Sequence, residues 1–349
     1  MTTAEDLAVL QTCVGNHLDT ASTRGKRIAG VIGAAPSRYS KSPALWDAAF
    51  RFAAIQAVYL PFDVEGSQLR EFAAALRNCE SVMGINVTVP HKLAIMEQLD
   101  ELDASAARIQ AVNTVVRTQE GRLVGYNTDG AGFIASILQP HPEQNESFLI
   151  GLSGAVVLLL GAGGSARAVG FHVSDLLDGG RLTICNRTRE ASATLAAEIS
   201  TGGIEALAVP EAEVARWAPK AALIINCTTK GQGSSSLEPY SALAPAPLSA
   251  SGGQGDEEAI ALNNQESLRL AAMVPKEARF YDLIYHPGET VFLRHARMTG
   301  HKTMNGKAMI ICQAALAFAN HVCAEELRAR GLDRPDTWKR VVEIMYDAW

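Results

Sequence analysis

The sequence predicts an α/β protein of two domains, each built around a mostly parallel sheet. Three observations carry that expectation. From residue 27 onward, short apolar runs alternate with segments of helical periodicity, the rhythm of parallel strands joined by crossover helices. One run, Ala155-Val156-Val157-Leu158-Leu159-Leu160, is continuously apolar, as in a strand buried on both faces, and it breaks into a glycine-rich turn. The 349 residues, 48% hydrophobic and 19% charged, suffice for two cores of ordinary size.

Composition narrows the function before any motif is read. A formal net charge of −6 argues against a nucleic-acid or anionic-membrane surface, and no apolar run is long enough to span a bilayer. Cys13, Cys79, Cys185, Cys227, Cys312 and Cys323 are scattered, without CxxC spacing and without a secretory leader. They read as reduced, packed thiols of a cytoplasmic protein. The expected partner is a small molecule, and the expected state a monomer or homodimer.

Residues 1 to 27 carry a short apolar pattern (Leu7, Val9, Leu10, Val14) and then a polar stretch. They are set apart as an N-terminal extension, a helix or loose tail. Residues 27 to 33 form a buried strand leading into a turn with Ser37, Ser40 and Ser42, and Pro43 suits the first position of the following helix. Hydroxyls and free N–H groups at a helix N-terminus favour an anion, although Ser42 equally suits a simple cap. A second strand over 57 to 62 and a helix over 69 to 76 repeat the rhythm.

Next comes Asn86-Val87-Thr88-Val89-Pro90-His91-Lys92. On a strand, Asn86 and Thr88 face the same way. Pro90 lacks an N–H, so it ends the ladder and throws Lys92 out at the strand's end, where open α/β sheets bind ligands. A lone lysine there also reads as an ordinary solvated side chain. An amphipathic helix (Leu93, Ile95, Met96, Leu99) and a shorter one over 103 to 109 follow. Glu120-Gly121 marks a hairpin between the polar-ended strands Ala111-Val112-Asn113-Thr114 and Gly125-Tyr126-Asn127-Thr128-Asp129-Gly130. By itself Asp129 also reads as a helix N-cap.

Residues 139 to 147, polar and proline-containing, read as a crossing between domains. The strand over 155 to 160 then runs into Gly161-Ala162-Gly163-Gly164-Ser165-Ala166-Arg167 and a helix, a G-x-G-x-x-A fingerprint in the strand-then-helix setting it requires. Gly161 permits the tight turn, Gly163 lets backbone approach a pyrophosphate, and Ala166 permits close helix–strand packing. The next strand ends in Asn186-Arg187-Thr188-Arg189 instead of an acidic residue, which favours the 2′-phosphate of NADP over NAD. Another strand delivers Thr228 to the place where a nicotinamide ribose rests. Residues 232 to 263, rich in Ser, Gly, Pro and Ala, read as a partly mobile surface insertion. A strand over 279 to 285 and a helix around 292 to 298 come next. The final helices, over 309 to 324 and 335 to 349, carry Gln313 among apolar neighbours, where it needs hydrogen-bond partners.

Taken together and in order, these segments resemble the shikimate/quinate dehydrogenase family over residues 28 to 325. The matching pieces are Ser40-Lys41-Ser42-Pro43, the Asn86 to Lys92 stretch, Ala111-Val112-Asn113-Thr114, Asn127-Thr128-Asp129-Gly130, Gly161-Ala162-Gly163-Gly164, Asn186-Arg187-Thr188, Asp282-Leu283-Ile284-Tyr285 and the residues from Gly306 to Gln313. The resemblance implies a substrate-binding α/β domain over 28–131 and 306–349 and a Rossmann-like NADP-binding domain over 132–305. It also implies reversible reduction of 3-dehydroshikimate to shikimate, with Lys92 and Asp129 as the catalytic pair.

By the same resemblance, Ser40, Ser42 and Tyr285 hold the substrate carboxylate, while Asn86, Thr88, Asn113 and Gln313 hold ring hydroxyls. Gly161, Ala162, Gly163, Gly164, Ser165 and Ala166 hold the pyrophosphate and Asn186, Arg187 and Thr188 the 2′-phosphate. Thr228, Leu283, Gly306 and Met309 line the nicotinamide side. No metal is implied. Departures from the family pattern are Trp46-Asp47 where a His-Asn pair is common, Ala191 in place of a second basic residue, and Ala308 in place of a glycine. Quinate or an aminated shikimate as substrate, and a catalytically silent sensor on the same scaffold, stay open. Presence of both Lys92 and Asp129 argues against the sensor.

Overall fold

A computed structural model describes residues 3–21, 23–233, 235–246 and 257–349. The chain divides into two compact units, the first comprising Met1–Gly132, His141–Glu143 and Ile311–Trp349 and the second Phe133–Pro140 and Gln144–Ile310. Among the described residues, twelve strands form two six-stranded sheets.

The first sheet contains β1 (Arg27–Gly33), β2 (Ala57–Asp63), β3 (Val82–Val87), β4 (Glu101–Leu102), β5 (Thr114–Arg117) and β6 (Leu123–Tyr126), in the order β2-β1-β3-β5-β6-β4. β1 pairs in parallel with β2 and β3, and β4 with β6, whereas β5 runs antiparallel to both its neighbours. That reversal follows from the tight turn over Thr118 to Arg122, where Gly121 adopts φ +80°, a conformation natural to glycine. The N-terminal segment is a working part of this unit. Leu7, Leu10, Cys13, Val14 and Leu18 join the core beneath β1 and β3, and the Asp6 carboxylate accepts from the Ser81 N–H (2.7 Å) and hydroxyl (2.6 Å). Apolar residues at helical spacing find a face to bury against, so the segment is not a loose tail.

After Lys92 the expected amphipathic helix is only a five-residue 3₁₀ turn, Ala94–Gln98. Leu99 adopts an extended conformation and leads into β4, which leaves no room for another helical turn. The helix Ala104–Ile109 begins where Asp103 accepts from the Ala106 N–H at 2.8 Å. The C-terminal helices are broken as well. Lys307–Ala317 is followed by a π-helical turn, Phe318–Val322, and then by Ala324–Ala329 and Thr337–Asp347.

The second sheet is parallel throughout: β7 (Val156–Leu160), β8 (Arg181–Cys185), β9 (Glu205–Val209), β10 (Leu223–Asn226), β11 (Arg279–Asp282) and β12 (Lys302–Met304), ordered β12-β11-β10-β7-β8-β9. This is the doubly wound order whose direction reverses between β7 and β10, the point at which such sheets bind dinucleotides. The core of this unit gathers Leu158, Leu160, Ile224, Phe280 and Phe292 with Trp217, Leu243 and Leu270.

Within residues 232 to 263, read as a surface insertion, the described ends are largely exposed, but the stretch from Tyr240 to Ala244 is not surface. Tyr240, Ser241, Ala242, Leu243 and Ala244 are buried, and Glu257–Met273 is a helix. Asn263 explains the packing, because its Nδ2 donates to the carbonyls of Ser241, Ala244 and Pro245 while its Oδ1 accepts the Ser241 N–H. A loop without strand or helix partners becomes buried when one amide satisfies its backbone. Residues 247 to 256 lie outside the described residues.

Candidate active site

Antiparallel pairing sets Asn86 of β3 opposite Thr114 of β5, next to Asn113. β3 stops at Val87, and the Thr88 N–H then goes to the Ile32 carbonyl (2.9 Å). The turn that follows is pinned by the buried His91, whose N–H donates to the Thr88 carbonyl and whose Nε2 lies 2.7 Å from the Val64 carbonyl. Lys92 is thereby aimed at Asp129, with Nζ 2.5 Å from Oδ2 and only 13% and 6% of the two side chains exposed.

Asp129 opens the helix Asp129–Leu138, but the side chain that serves the helix start is Asn127, whose Oδ1 accepts the Asp129 N–H at 3.0 Å. The Asp129 carboxylate is left for Lys92 on one oxygen and for Asn113 Nδ2 (2.9 Å) on the other. Gln313 arrives from the helix Lys307–Ala317. Its Oε1 accepts from Asn113 Nδ2 at 3.0 Å and from the Thr128 hydroxyl at 3.3 Å. Gly132 makes that approach possible, because a Cβ there would stand 2.6 to 2.8 Å from the Gln313 backbone and Cβ. The structure therefore brings together Lys92, Asp129, Asn113 and Gln313, with Asn86 one residue further along the network.

Ser40 and Ser42 stand at the start of the helix Ser42–Phe52, half-buried, and the Ser40 hydroxyl accepts the Ser42 N–H at 3.2 Å. The Ser42 side chain hydrogen-bonds the Tyr59 phenol. Thr88 is half-buried against Gly33, where a Cβ would meet its Cγ2 at 2.6 Å. Tyr285 belongs to the second unit, beyond β11, and burial pushes its phenol up.

In the second unit, Gly161 adopts φ +114° with backbone of Cys227 3.1 Å from where a Cβ would sit, so only glycine fits the turn. Gly163 precedes the helix Gly164–Ser174 with open space at its Cβ position, and Ala166 is fully buried. Helix N–H groups and a backbone open to close approach are what a pyrophosphate requires. Asn186 is half-buried, with Nδ2 donating to the Thr188 carbonyl at 2.9 Å, while Arg187, Thr188 and Arg189 are exposed. Gly306 lies so close to the chain after β11 that a Cβ would stand 2.0 Å from the Leu283 carbonyl oxygen, and its N–H donates to the Ile284 carbonyl. Met309 and Ala308 are buried on the helix that starts there.

Asp282 was not singled out by its residue type, yet it organises these loops. It is fully buried and accepts from Asn226 Nδ2 (2.9 Å), the Ile284 N–H (3.0 Å) and the Thr290 hydroxyl (2.6 Å). Burial pushes its carboxyl up to about 7 against the pull of those three donors. Asn226 in turn accepts from the N–H and hydroxyl of Thr228, so the end of β10 is held by the end of β11.

Comparison with known proteins decides the family. Residues 31–115 match the model for the shikimate dehydrogenase substrate binding domain. A shikimate dehydrogenase (NADP(+)) of Symbiobacterium thermophilum is 37% identical over 303 residues, 85% of this chain and 90% of that protein. The chain belongs to the shikimate dehydrogenase family. A second member, from Shouchella clausii, is 35% identical over 82% of this chain and 90% of its own length. Among solved structures, the shikimate 5-dehydrogenase of Thermus thermophilus in complex with NADP(H) and shikimate superposes with a TM-score of 0.66 at 29% identity. That match covers 93% of this chain and all of the other. Shikimate dehydrogenase family membership accounts for the two sheets and for the ordered motifs of the first unit. Tyr59, Thr114 and Thr128 also touch the polar network of that unit. Thr114 and Thr128 lay within the quoted motifs without a role of their own, whereas Tyr59 sat in an apolar strand and nothing in its spacing set it apart.

Proposed function

We propose that the chain catalyses the reversible reduction of 3-dehydroshikimate to shikimate with NADPH. The observation that carries this reading is the buried Lys92–Asp129 pair, set among the side chains of Asn113, Thr128 and Gln313. Carbonyl reduction needs a proton donor at the oxygen that becomes a hydroxyl, and a charged partner to hold that donor in place. Lys92 supplies the proton in reduction and takes it back in oxidation, while Asp129 keeps the ammonium oriented. When bound, the reduced nicotinamide supplies the hydride. General acid–base help of this kind is worth roughly 10²- to 10⁴-fold in rate.

In this reading Asn86, Thr88, Asn113 and Gln313 receive ring hydroxyls, and Ser40, Ser42 and Tyr285 the carboxylate. The residues at hand suit the dinucleotide. The Gly161 to Ala166 turn offers a helix N-terminus and open backbone to the pyrophosphate, and Arg187, exposed and with no acidic residue from 186 to 189, suits a 2′-phosphate. Thr228, Leu283, Gly306 and Met309 take the nicotinamide side. A cytoplasmic setting is supported by six free cysteines, all buried or half-buried. Among the described residues no helix is long and apolar enough to cross a membrane.

The test is initial-rate spectrophotometry of the reduced nicotinamide, with shikimate and quinate each offered with NADP and with NAD. Shikimate with NADP should show the highest kcat/KM. A preference for quinate or NAD would overturn the specificity assignments and leave the Lys92–Asp129 chemistry standing. Silence in every combination would overturn the enzyme reading in favour of a ligand sensor.

A further inference from the structure

The hydrogen bonds of the first unit can be given a direction, because several of its groups only donate or only accept. The Thr128 backbone N–H reaches Asn113 Oδ1 at 2.8 Å, which fixes the amide oxygen of Asn113 on that side and its nitrogen toward Asp129. The Thr114 hydroxyl, 3.0 Å from the same Oδ1, must therefore spend its hydrogen there. Its oxygen is left to accept from Asn86 Nδ2, also 3.0 Å away, whose other hydrogen faces the Asn113 carbonyl at 3.3 Å. With its nitrogen so placed, Asn86 turns its oxygen to Tyr59, and the phenol donates to it at 2.6 Å.

We infer that Tyr59 and Thr114 are positioning residues of the reaction, links in a one-way chain of donors running Tyr59 to Asn86 to Thr114 to Asn113 to the Asp129 carboxylate. The chain has two chemical consequences. Asn86 has both amide hydrogens committed and one lone pair of Oδ1 free, so it presents an acceptor to the ligand and selects a hydroxyl that donates. Asn113 is held with its Nδ2 on Asp129, and so Asp129 is held on Lys92. Tyr59 is suited to its place. It is buried, stacked on Trp46 at 4.8 Å with 28° between the rings, and Ser42 acts on the same phenol. Burial pushes that phenol well above its usual range, so it remains a donor at any working pH. The Trp46 that departs from the family's usual residue is the platform under the first link.

This inference rests on the proposed reaction, and its test separates the two. Wild-type enzyme is assayed first with shikimate and NADP; silence there overturns the reaction itself. With an active wild type, Thr114→Val keeps the shape but removes the hydroxyl, and kcat should fall about tenfold, the effect of one ordinary hydrogen bond. KM for NADP should stay unchanged. Thr114→Ser, which restores the hydroxyl, should recover most of the loss. Tyr59→Phe keeps the stack on Trp46 and should raise KM for shikimate about tenfold, because the Asn86 oxygen then loses the donor that holds it in place for the ligand. Members of one chain couple, so the double variant should lose less than the product of the two single losses. Full kcat in Thr114→Val, no rescue by serine, or strictly multiplicative losses would each overturn the relay.

Discussion

The two candidate binding regions are built on opposite plans. In the first unit the polar groups are buried and already bonded to one another: Asn113, Asp129 and Asn86 are 2%, 4% and 8% exposed. In the second, the groups assigned to the dinucleotide are open backbone at Gly163 and exposed side chains at Arg187 and Thr188. The two units therefore order their polar groups at different moments. A reaction that moves a proton between fixed atoms gains from groups oriented before the ligand arrives. A flexible dinucleotide is held by helix N–H groups and by cations that surrender their mobility only on binding. Substitutions in the first region should therefore strike turnover, and those in the second affinity.

The largest effect that would break this contrast is sought at Lys92. Lys92→Met removes the acid–base group while keeping the alkyl stem, and kcat should fall by roughly 10²- to 10⁴-fold with KM for shikimate little changed. Steady-state kinetics at saturating NADP checks it, and an equal loss placed entirely in KM would assign Lys92 to binding alone.

Asp282 tests the contrast from the other side, since it is a fully buried carboxyl of the second unit. Its carboxyl is raised from 3.8 to about 7 in the folded state. The native protein thus binds more protons than the unfolded chain between those values, and this group's contribution to stability falls as pH rises through that window. The full effect is at most on the order of a few kcal/mol, each tenfold change in proton affinity being worth about 1.4 kcal/mol. Asp282→Asn can keep Oδ1 for Asn226 and Ile284 and donate to Thr290, so it should flatten the decline in melting temperature between pH 4 and pH 7. Parallel curves for the two proteins would show that the carboxyl stays charged throughout. The smallest expected effect is at Arg187. Arg187→Ala should weaken NADP by about 1.5–3 kcal/mol, the range for a hydrogen bond to a charged group, and leave NAD unaffected. Equal losses for both cofactors would move the 2′-phosphate elsewhere.

Much of this was legible in the chain. The apolar strand before Gly161 and the small Ala166 after it announce a doubly wound sheet, because φ near +114° and close helix packing admit few residue types. Lys92 and Asp129 were legible as candidates through their motifs, each with a bland alternative. What separated the alternatives was contact: Asn127 took over the helix start, which left Asp129 for Lys92.

The rest depended on groups distant in sequence. The N-terminal residues read as a helix or loose tail because their apolar face is short, and only the distant Ser81 and the core beneath the sheet supplied partners for Asp6 and Leu10. Tyr240 to Ala244 looked like surface because the stretch around them is rich in Ser, Gly, Pro and Ala, and the amide of Asn263, about twenty residues on, satisfies their backbone and lets them bury.

The order of strands and helices, the glycine turn and the residue types that do the chemistry follow from the chain alone, since local sterics and periodicity act over a few neighbours. The tertiary structure decided which hydroxyl donates and which accepts between Tyr59, Thr114 and Asp129, up to 70 residues apart. Hydrogen-bond direction is settled by what stands opposite each atom, and no local pattern records that.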